Sequence, residues 1–102
     1  MSRTDVFRSM LEKDPNNALA RFGLANELMK AEAFAEARAE LTTYLAGHTD
    51  EGAGYRLLAR ACEGLGLAEE AREAYRRGAE TARRHGHPSM AGEFEEKMKD
   101  EG

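Results

Sequence analysis

The feature that most constrains the fold is an internal repeat with a period of 34 residues. A shift of 34 positions, without a gap, superposes five identical residues: Leu24 on Leu58, Ala25 on Ala59, and the segment 36–38 on 70–72. At other positions of the repeat a large residue meets a large one, as where Leu41 falls on Tyr75. A fixed period of this length indicates stacked copies of one supersecondary unit, each of which buries its apolar face against its neighbours.

Within each copy the apolar residues recur at helical spacing, and period-two alternation is scarce. Helix breakers and caps then divide the chain. Asp14 precedes Pro15, a position that disfavours the α region, and the segment 64–66 is a clear breaker. We predict six helices: one capped by Thr4 and ending at Asp14, one capped by Asn16 or Asn17 and running to about Lys30, and others over 34–46, from Thr49 or Asp50 to about 63, over 68–84 and over 88–99.

The period and the residue types resemble the tetratricopeptide repeat (TPR) family. That family places a bulky residue, Leu, a small residue and a large residue in the first helix of each repeat (helix A), and Ala followed by an aromatic residue or Leu in the second (helix B). The matching residues are Arg21, Leu24, Ala25, Leu28, Ala37 and Leu41 in the first repeat, and Tyr55, Leu58, Ala59, Cys62, Ala71 and Tyr75 in the second. Arg21 departs from the bulky residue, and Thr49 and Arg83 stand where the family has a closing proline.

The resemblance implies an all-α fold, a right-handed α–α superhelix (a TPR-like solenoid) of about six short antiparallel helices. We expect one domain over 1–102. It would comprise a half-repeat helix B over 4–13, repeats over 18–51 and 52–85, and a capping helix over 88–99. In the last helix Glu95 takes the position of the small residues Ala25 and Ala59, which predicts a polar cap with no further helix B.

The composition narrows the classes of partner. A net charge of −4 gives no basic footprint, so nucleic acid is not an expected partner. No apolar run has the length of a signal peptide or a membrane span. The single cysteine, Cys62, cannot form an intramolecular disulfide, and this suits a reducing compartment. We therefore expect a soluble, cytoplasmic protein that does not contact membranes.

The sequence predicts no catalytic, cofactor or metal site, so we expect a non-enzymatic protein without a cofactor. It has no Gly-rich phosphate loop and no H-E-x-x-H, C-x-x-C or G-x-S-x-G motif. The repeat register places Cys62 in the core, where thiols are usually inert. His85 and His87 could grip a metal, but no third ligand lies nearby in sequence, and a solvated loop is the simpler interpretation.

In proteins of the TPR family, the inner positions of helix A line a concave groove. Those positions here are Leu19, Phe22, Asn26, Met29 and Lys30 in the first repeat, and Ala53, Arg56, Arg60, Glu63 and Gly64 in the second. The first helix A carries a second apolar face opposite its core residues Leu24 and Leu28, and an unused apolar face predicts a contact surface. The alternative is that the terminal helix folds over Phe22 and Met29.

The resemblance predicts a non-catalytic protein–protein interaction module, an adaptor that binds a protein or peptide in the concave groove. Its apolar end would be formed by Leu19, Phe22 and Met29, and its basic end, by Arg56 and Arg60, would attract an acidic partner. The carboxylate clamp of some chaperone-binding members is not carried over, because Phe22 and Leu57 replace a Lys and an Asn of that clamp. The alternative function is a self-associating scaffold, a homo-oligomer formed through the same apolar patch.

Overall fold

Six α-helices follow one another in the computed structural model, which describes residues 1–101. They are α1 (Arg3–Lys13), α2 (Ala18–Lys30), α3 (Phe34–Gly47), α4 (Ala53–Gly64), α5 (Ala68–Arg84) and α6 (Pro88–Asp100). The predicted all-α architecture is confirmed, and the fifth helix has the predicted bounds. Pro88 occupies the first turn of α6, where its missing N–H group costs no hydrogen bond.

Each helix packs mainly against its neighbours in the chain, from α1 on α2 through to α5 on α6, and α2 also contacts α4. The result is an elongated stack measuring 40 × 29 × 18 Å along its principal axes. By the predicted repeat register, α2 and α4 correspond to helices A, and α3 and α5 to helices B. By the same register, and within residues 1–101, α1 corresponds to a helix B without its helix A, and α6 to a helix A without its helix B.

The starts of α1 and α2 are each fixed by a side-chain cap. Helix α1 is capped by Ser2 and not by Thr4. The Ser2 hydroxyl accepts a hydrogen bond from the Asp5 N–H at 3.1 Å, and the Asp5 carboxylate accepts one from the Ser2 N–H at 3.2 Å. This reciprocal capping box satisfies two free donors at once, which a cap by Thr4 would not do. Of the two candidate caps of α2, Asn17 is the one that accepts from a backbone N–H, that of Ala20.

The fourth helix begins at Ala53, three or more residues after the predicted start. The Asp50 carboxylate accepts hydrogen bonds from the N–H groups of Gly52 and Gly54 at 2.7 and 2.9 Å, and from the Tyr44 hydroxyl at 2.8 Å. Asp50 therefore organises a turn before the helix. Gly52 has a φ of +138°, a conformation that L side chains rarely adopt, and so the chain cannot be helical there.

The core is divided into two clusters. The N-terminal cluster comprises Leu24, Leu28, Ala37 and Ala61, with Phe7, Leu11, Met29 and Ala33 packed against it. The C-terminal cluster comprises Ala59, Ala74, Tyr75, Ala79, Ala82, Ala91 and Phe94, with Leu58, Met90 and Met98 packed against it. The small residues expected where helix A approaches helix B are fully buried: Ala25, Ala37, Ala59 and Ala71 each have 0% exposure.

Helix α5 comes closest to its neighbours at Gly78. A Cβ atom at this position would lie 2.9 Å from the ring of Phe94 on α6 and 2.9 Å from the Cβ of Tyr55 on α4. The Tyr75 and Phe94 rings pack beside this point with their centroids 5.7 Å apart. Gly78 thus allows α4 and α6 to pack on the same stretch of α5, which holds α6 against the stack.

Candidate partner-binding surface

One side of α2 is open to solvent. Leu19 has 82% of its surface exposed, although it is a large apolar residue. Asn26 follows seven residues later and is partly buried, and Lys30 is exposed and lies 3.3 Å from Glu27. Residues at this spacing share one face of a helix. The predicted surface residues Leu19, Asn26 and Lys30 therefore form one accessible row.

Phe22 and Met29 contribute less to that row than the sequence predicts, because both are partly buried. The Phe22 ring lies against Tyr44 of α3, with 5.2 Å between the ring centroids. Met29 packs against the N-terminal cluster. The C-terminal helix packs on α5 and is not what buries them. Half of the second apolar face of α2 is thus used inside the molecule.

Arg56 is engaged by α6. Its Nε and Nη2 atoms donate to the two carboxylate oxygens of Glu93 at 3.1 and 2.9 Å, and its guanidinium lies 5.2 Å from the centroid of the Phe94 ring. Only 26% of the side chain remains exposed. A bidentate, ring-stacked arginine is held firmly in one orientation. Sequence reasoning missed Glu93, which lies 37 residues away and is brought to Arg56 only by the packing of α6.

Arg60, one turn further along α4, is exposed and forms no ion pair with any of residues 1–101. Glu63 accepts hydrogen bonds from the Tyr75 hydroxyl at 3.2 Å, and burial raises the pKa of that hydroxyl. The neighbouring Glu63 carboxylate raises the pKa of the Glu101 carboxyl above its ordinary value. Of the charged residues predicted on α4, Arg60 is the one that is free to meet a partner.

The other candidate chemical groups lie apart from one another. Cys62 is 1% exposed, and burial raises the pKa of its thiol, so it stays protonated within the core. His87 Nε2 lies 2.6 Å from a Glu51 carboxylate oxygen, while His85 Nδ1 lies 2.9 Å from the Thr81 carbonyl oxygen. Within residues 1–101, no three His, Cys, Asp or Glu side chains are grouped to hold a metal ion.

None of the helices described here is both long enough and apolar enough to cross a membrane.

Comparisons with known proteins agree with this architecture. The family model described as "Tetratricopeptide repeat" matches residues 4–60, more than half of the chain. The solution structure of protein BPP2914 from Bordetella parapertussis superposes with a TM-score of 0.83, covering 99% of this chain and 88% of that one at 23% sequence identity, and so shares the fold. No curated protein is significantly similar in sequence. The repeat, the paired helices and the family match together show that this chain belongs to the tetratricopeptide repeat family.

Proposed function

We propose that the chain is a non-catalytic interaction module that binds a protein or peptide on the surface formed by Leu19, Asn26, Lys30 and Arg60, hereafter the α2–α4 surface. TPR repeats generally mediate protein–protein interaction, and members of the family are generally non-catalytic scaffolds. The observation that carries the proposal is the 82% exposure of Leu19 within a row of accessible polar side chains. A lone exposed leucine is unremarkable, but Leu19 shares its face of α2 with Asn26, and the unpaired Arg60 lies one period after Asn26 on the next helix A, so the two helices together offer an apolar and a cationic anchor.

The chemistry of the surface favours a partner with one apolar side chain and one acidic group. Leu19 offers apolar contact, and Asn26 can both donate and accept hydrogen bonds. The Glu27 carboxylate pairs with Arg3 at 3.2 Å and with Lys30 at 3.3 Å. The positive charge of Lys30 is therefore partly neutralised. Arg60 is therefore the main cation offered to a carboxylate, the role that the sequence divided between Arg56 and Arg60. The lone buried cysteine supports a reducing compartment such as the cytoplasm.

Affinity capture from a lysate of the source cell tests the proposal when matched variants are compared. The test variant combines Leu19→Ser with Arg60→Glu, and the control combines Leu65→Ser with Arg84→Glu, an equivalent change at exposed positions outside the surface. We expect the same proteins to be captured by the wild type and the control and lost from the test variant. Capture by the wild type and both variants, or loss from both variants, would contradict the assignment of this surface.

Self-association is the second candidate function, and it is favoured by exposed apolar side chains on the first two helices. Val6 and Met10 of α1 are 43% and 39% exposed, in addition to Leu19 of α2. Two copies could bury these side chains against each other. Light scattering at micromolar concentration separates the two functions: a dimer that Leu19→Ser dissociates supports the scaffold, whereas a monomer leaves the surface to a different partner.

A further inference from the structure

Ion pairs link the successive helices B along the outer surface of the stack. Arg8 of α1 pairs with Glu36 of α3 at 2.7 Å, and Arg38 of α3 pairs with Glu70 of α5. Glu36 and Glu70 are one period apart, and each lies in the first turn of its helix. A carboxylate near a helix N-terminus is also favoured by the helix dipole. Each helix B thus presents a first-turn carboxylate to an arginine of the helix B before it.

Helix α5 carries both of the arginine positions that serve in these pairs. Arg72 lies one period after Arg38, and Arg76 lies two periods after Arg8. No further helix B follows α5 within residues 1–101 to supply a carboxylate. Arg76 turns back to Glu73 and Glu80 on its own helix. Arg72 is partly buried and forms no ion pair with the described part of the chain.

A cleft of about 730 Å³ lies beside these arginines, between α5 and α6. It is lined by Arg72, Arg76, Ala79, Glu80, Arg83, Gly92, Glu95, Glu96, Met98 and Lys99. An equivalent cleft of about 350 Å³ lies between α3 and α5. One side of it is lined by Arg38, Thr42, Leu45 and Cys62. In the repeat register these four residues correspond to Arg72, Arg76, Ala79 and Met98 of the α5–α6 cleft. There α5 closes the second side with Glu70 and Ala74. No helix within residues 1–101 closes the second side of the α5–α6 cleft.

The remaining charges of the cleft are satisfied within the molecule. Arg83 donates to both oxygens of Glu95 at 2.6 and 2.7 Å, and Lys99 lies 3.2 Å from Glu96. Glu80 is held by Arg76. The neighbouring Glu63 carboxylate raises the pKa of the Glu101 carboxyl, and the positive charge of Arg72 opposes this rise. Among residues 1–101, Arg72 is therefore the cation of this cleft that has no ion-pair partner.

We propose that the α5–α6 cleft binds an acidic amphipathic helix of a partner protein, in the position that the helix B of a third repeat would occupy. The partner would place a first-turn carboxylate on Arg72 and apolar side chains against the half-buried Met98. A second copy of this chain fits less well, because its free helix α1 has Ser2 where α3 has Glu36. Glu95, at the position of the small residues in the other repeats, would displace the incoming helix slightly towards α5 from the place that a helix B takes beside Ala25 or Ala59.

Binding of a helix taken from this chain tests the proposal directly. The probe is a synthetic peptide of residues 33–48, which forms a helix B here and carries Glu36 in its first turn. Because isolated helices of this length are marginally stable, the exposed residues Ala35 and Ala39 are replaced by an i,i+4 staple. Titration into ¹⁵N-labelled full-length protein should shift the amide signals of Arg72, Ala79, Gly92 and Met98. The signals of the α2–α4 surface should stay in place.

A double-mutant cycle assigns the contact. Arg72→Gln in the protein and Glu36→Gln in the peptide should each weaken binding about three- to fivefold, as expected for one partly exposed ion pair, and together should weaken it no further. Arg60→Gln, on the α2–α4 surface, should leave the affinity for the peptide unchanged. Raised salt should lower the affinity of the wild-type protein for the peptide. Circular dichroism checks that Arg72→Gln keeps its thermal midpoint. Absence of binding at millimolar peptide, additive effects in the cycle, or signal shifts confined to the α2–α4 surface would each overturn the proposal.

Discussion

Substitution of Gly78 by alanine tests the packing of α5 against both of its neighbours, with Gly92→Ala as the matched control. Both glycines lie inside helices, where alanine is intrinsically better than glycine by about 0.5–1 kcal/mol. They differ in their surroundings. A Cβ at Gly78 would lie 2.9 Å from Phe94 and from the Tyr55 Cβ, whereas a Cβ at Gly92 would meet nothing within 4 Å. Phe94 is fully buried, so its ring cannot move aside without disturbing the C-terminal cluster.

The two changes should therefore have opposite signs. Overpacking a core costs about 1–3 kcal/mol. After the helix-propensity gain is subtracted, we expect Gly78→Ala to lower the free energy of unfolding by about 0.5–2 kcal/mol. Gly92→Ala should raise the free energy of unfolding by about 0.5–1 kcal/mol. For a domain of this size 1 kcal/mol corresponds to a shift of roughly 4–8 °C in the thermal midpoint. Thermal melts followed by circular dichroism at 222 nm resolve such shifts.

The outcome that would refute this reasoning is equal stabilisation by both substitutions. That result would mean that α5 and α6 have room for a methyl group at Gly78, and that the close approach described above is absent in solution. A second outcome is also informative: if Gly78→Ala lowers the midpoint and broadens the transition, α6 has been loosened from the stack while the rest stays folded.

Three further predictions concern the surface, the cap and acid stability. Leu19→Ser should change the free energy of unfolding by less than about 0.5 kcal/mol, because Leu19 is exposed. Met29→Ser should lower the free energy of unfolding by more than about 1 kcal/mol, because Met29 packs on the N-terminal cluster. Unfolding by urea measures both changes. Removal of residues 88–102 should expose the apolar face of α5 and cause aggregation or a non-cooperative melt, and a stable monomeric fragment would contradict the capping role. The hydrogen bond from Arg83 lowers the folded-state pKa of Glu95, so its contribution to stability is present above the ordinary pKa of glutamate and is lost as the pH falls through the folded value. The acid-side slope of the thermal midpoint should accordingly be shallower in Arg83→Gln, and an unchanged slope would contradict the contribution of this pair.

The helices could be predicted from sequence wherever strong punctuation bounds them. Helix α5 is flanked by Gly66 and by the segment before Pro88, and both of its ends were predicted correctly. The start of α1 was missed because both Ser2 and Thr4 are capping residues, and only the position of Asp5 three residues after Ser2 distinguishes them. The start of α4 was missed because Asp50 bonds to Gly54 across a turn, which a residue-by-residue reading of caps does not anticipate.

The surface was less predictable than the helices, since periodicity assigns a residue to a face of a helix and not to a partner. Leu19 was placed correctly on an open face, but Met29 on the same helix reaches the core through a long, flexible side chain. The pairing of Arg56 with Glu93 depends on where α6 packs, which is a tertiary property. The outer arginine and glutamate pairs did leave a signal in the sequence, because Glu36 and Glu70 are related by the repeat itself.

The distribution of buried residues among the helices implies that local stability is lowest in α1 and highest in α5. Helix α1 has no buried residue, whereas α5 has seven, and each helix is supported mainly by its neighbours. Amide hydrogen exchange should therefore be fastest in α1 and slowest in α5, since helix α1 can open without disturbing the C-terminal cluster. When α1 opens, Glu27 loses Arg3 and keeps only Lys30 as its partner. Opening of the first helix would thus strengthen the ion pair between Glu27 and Lys30. Within residues 1–101, Arg60 would then be the one free cation that the α2–α4 surface offers to an acidic partner.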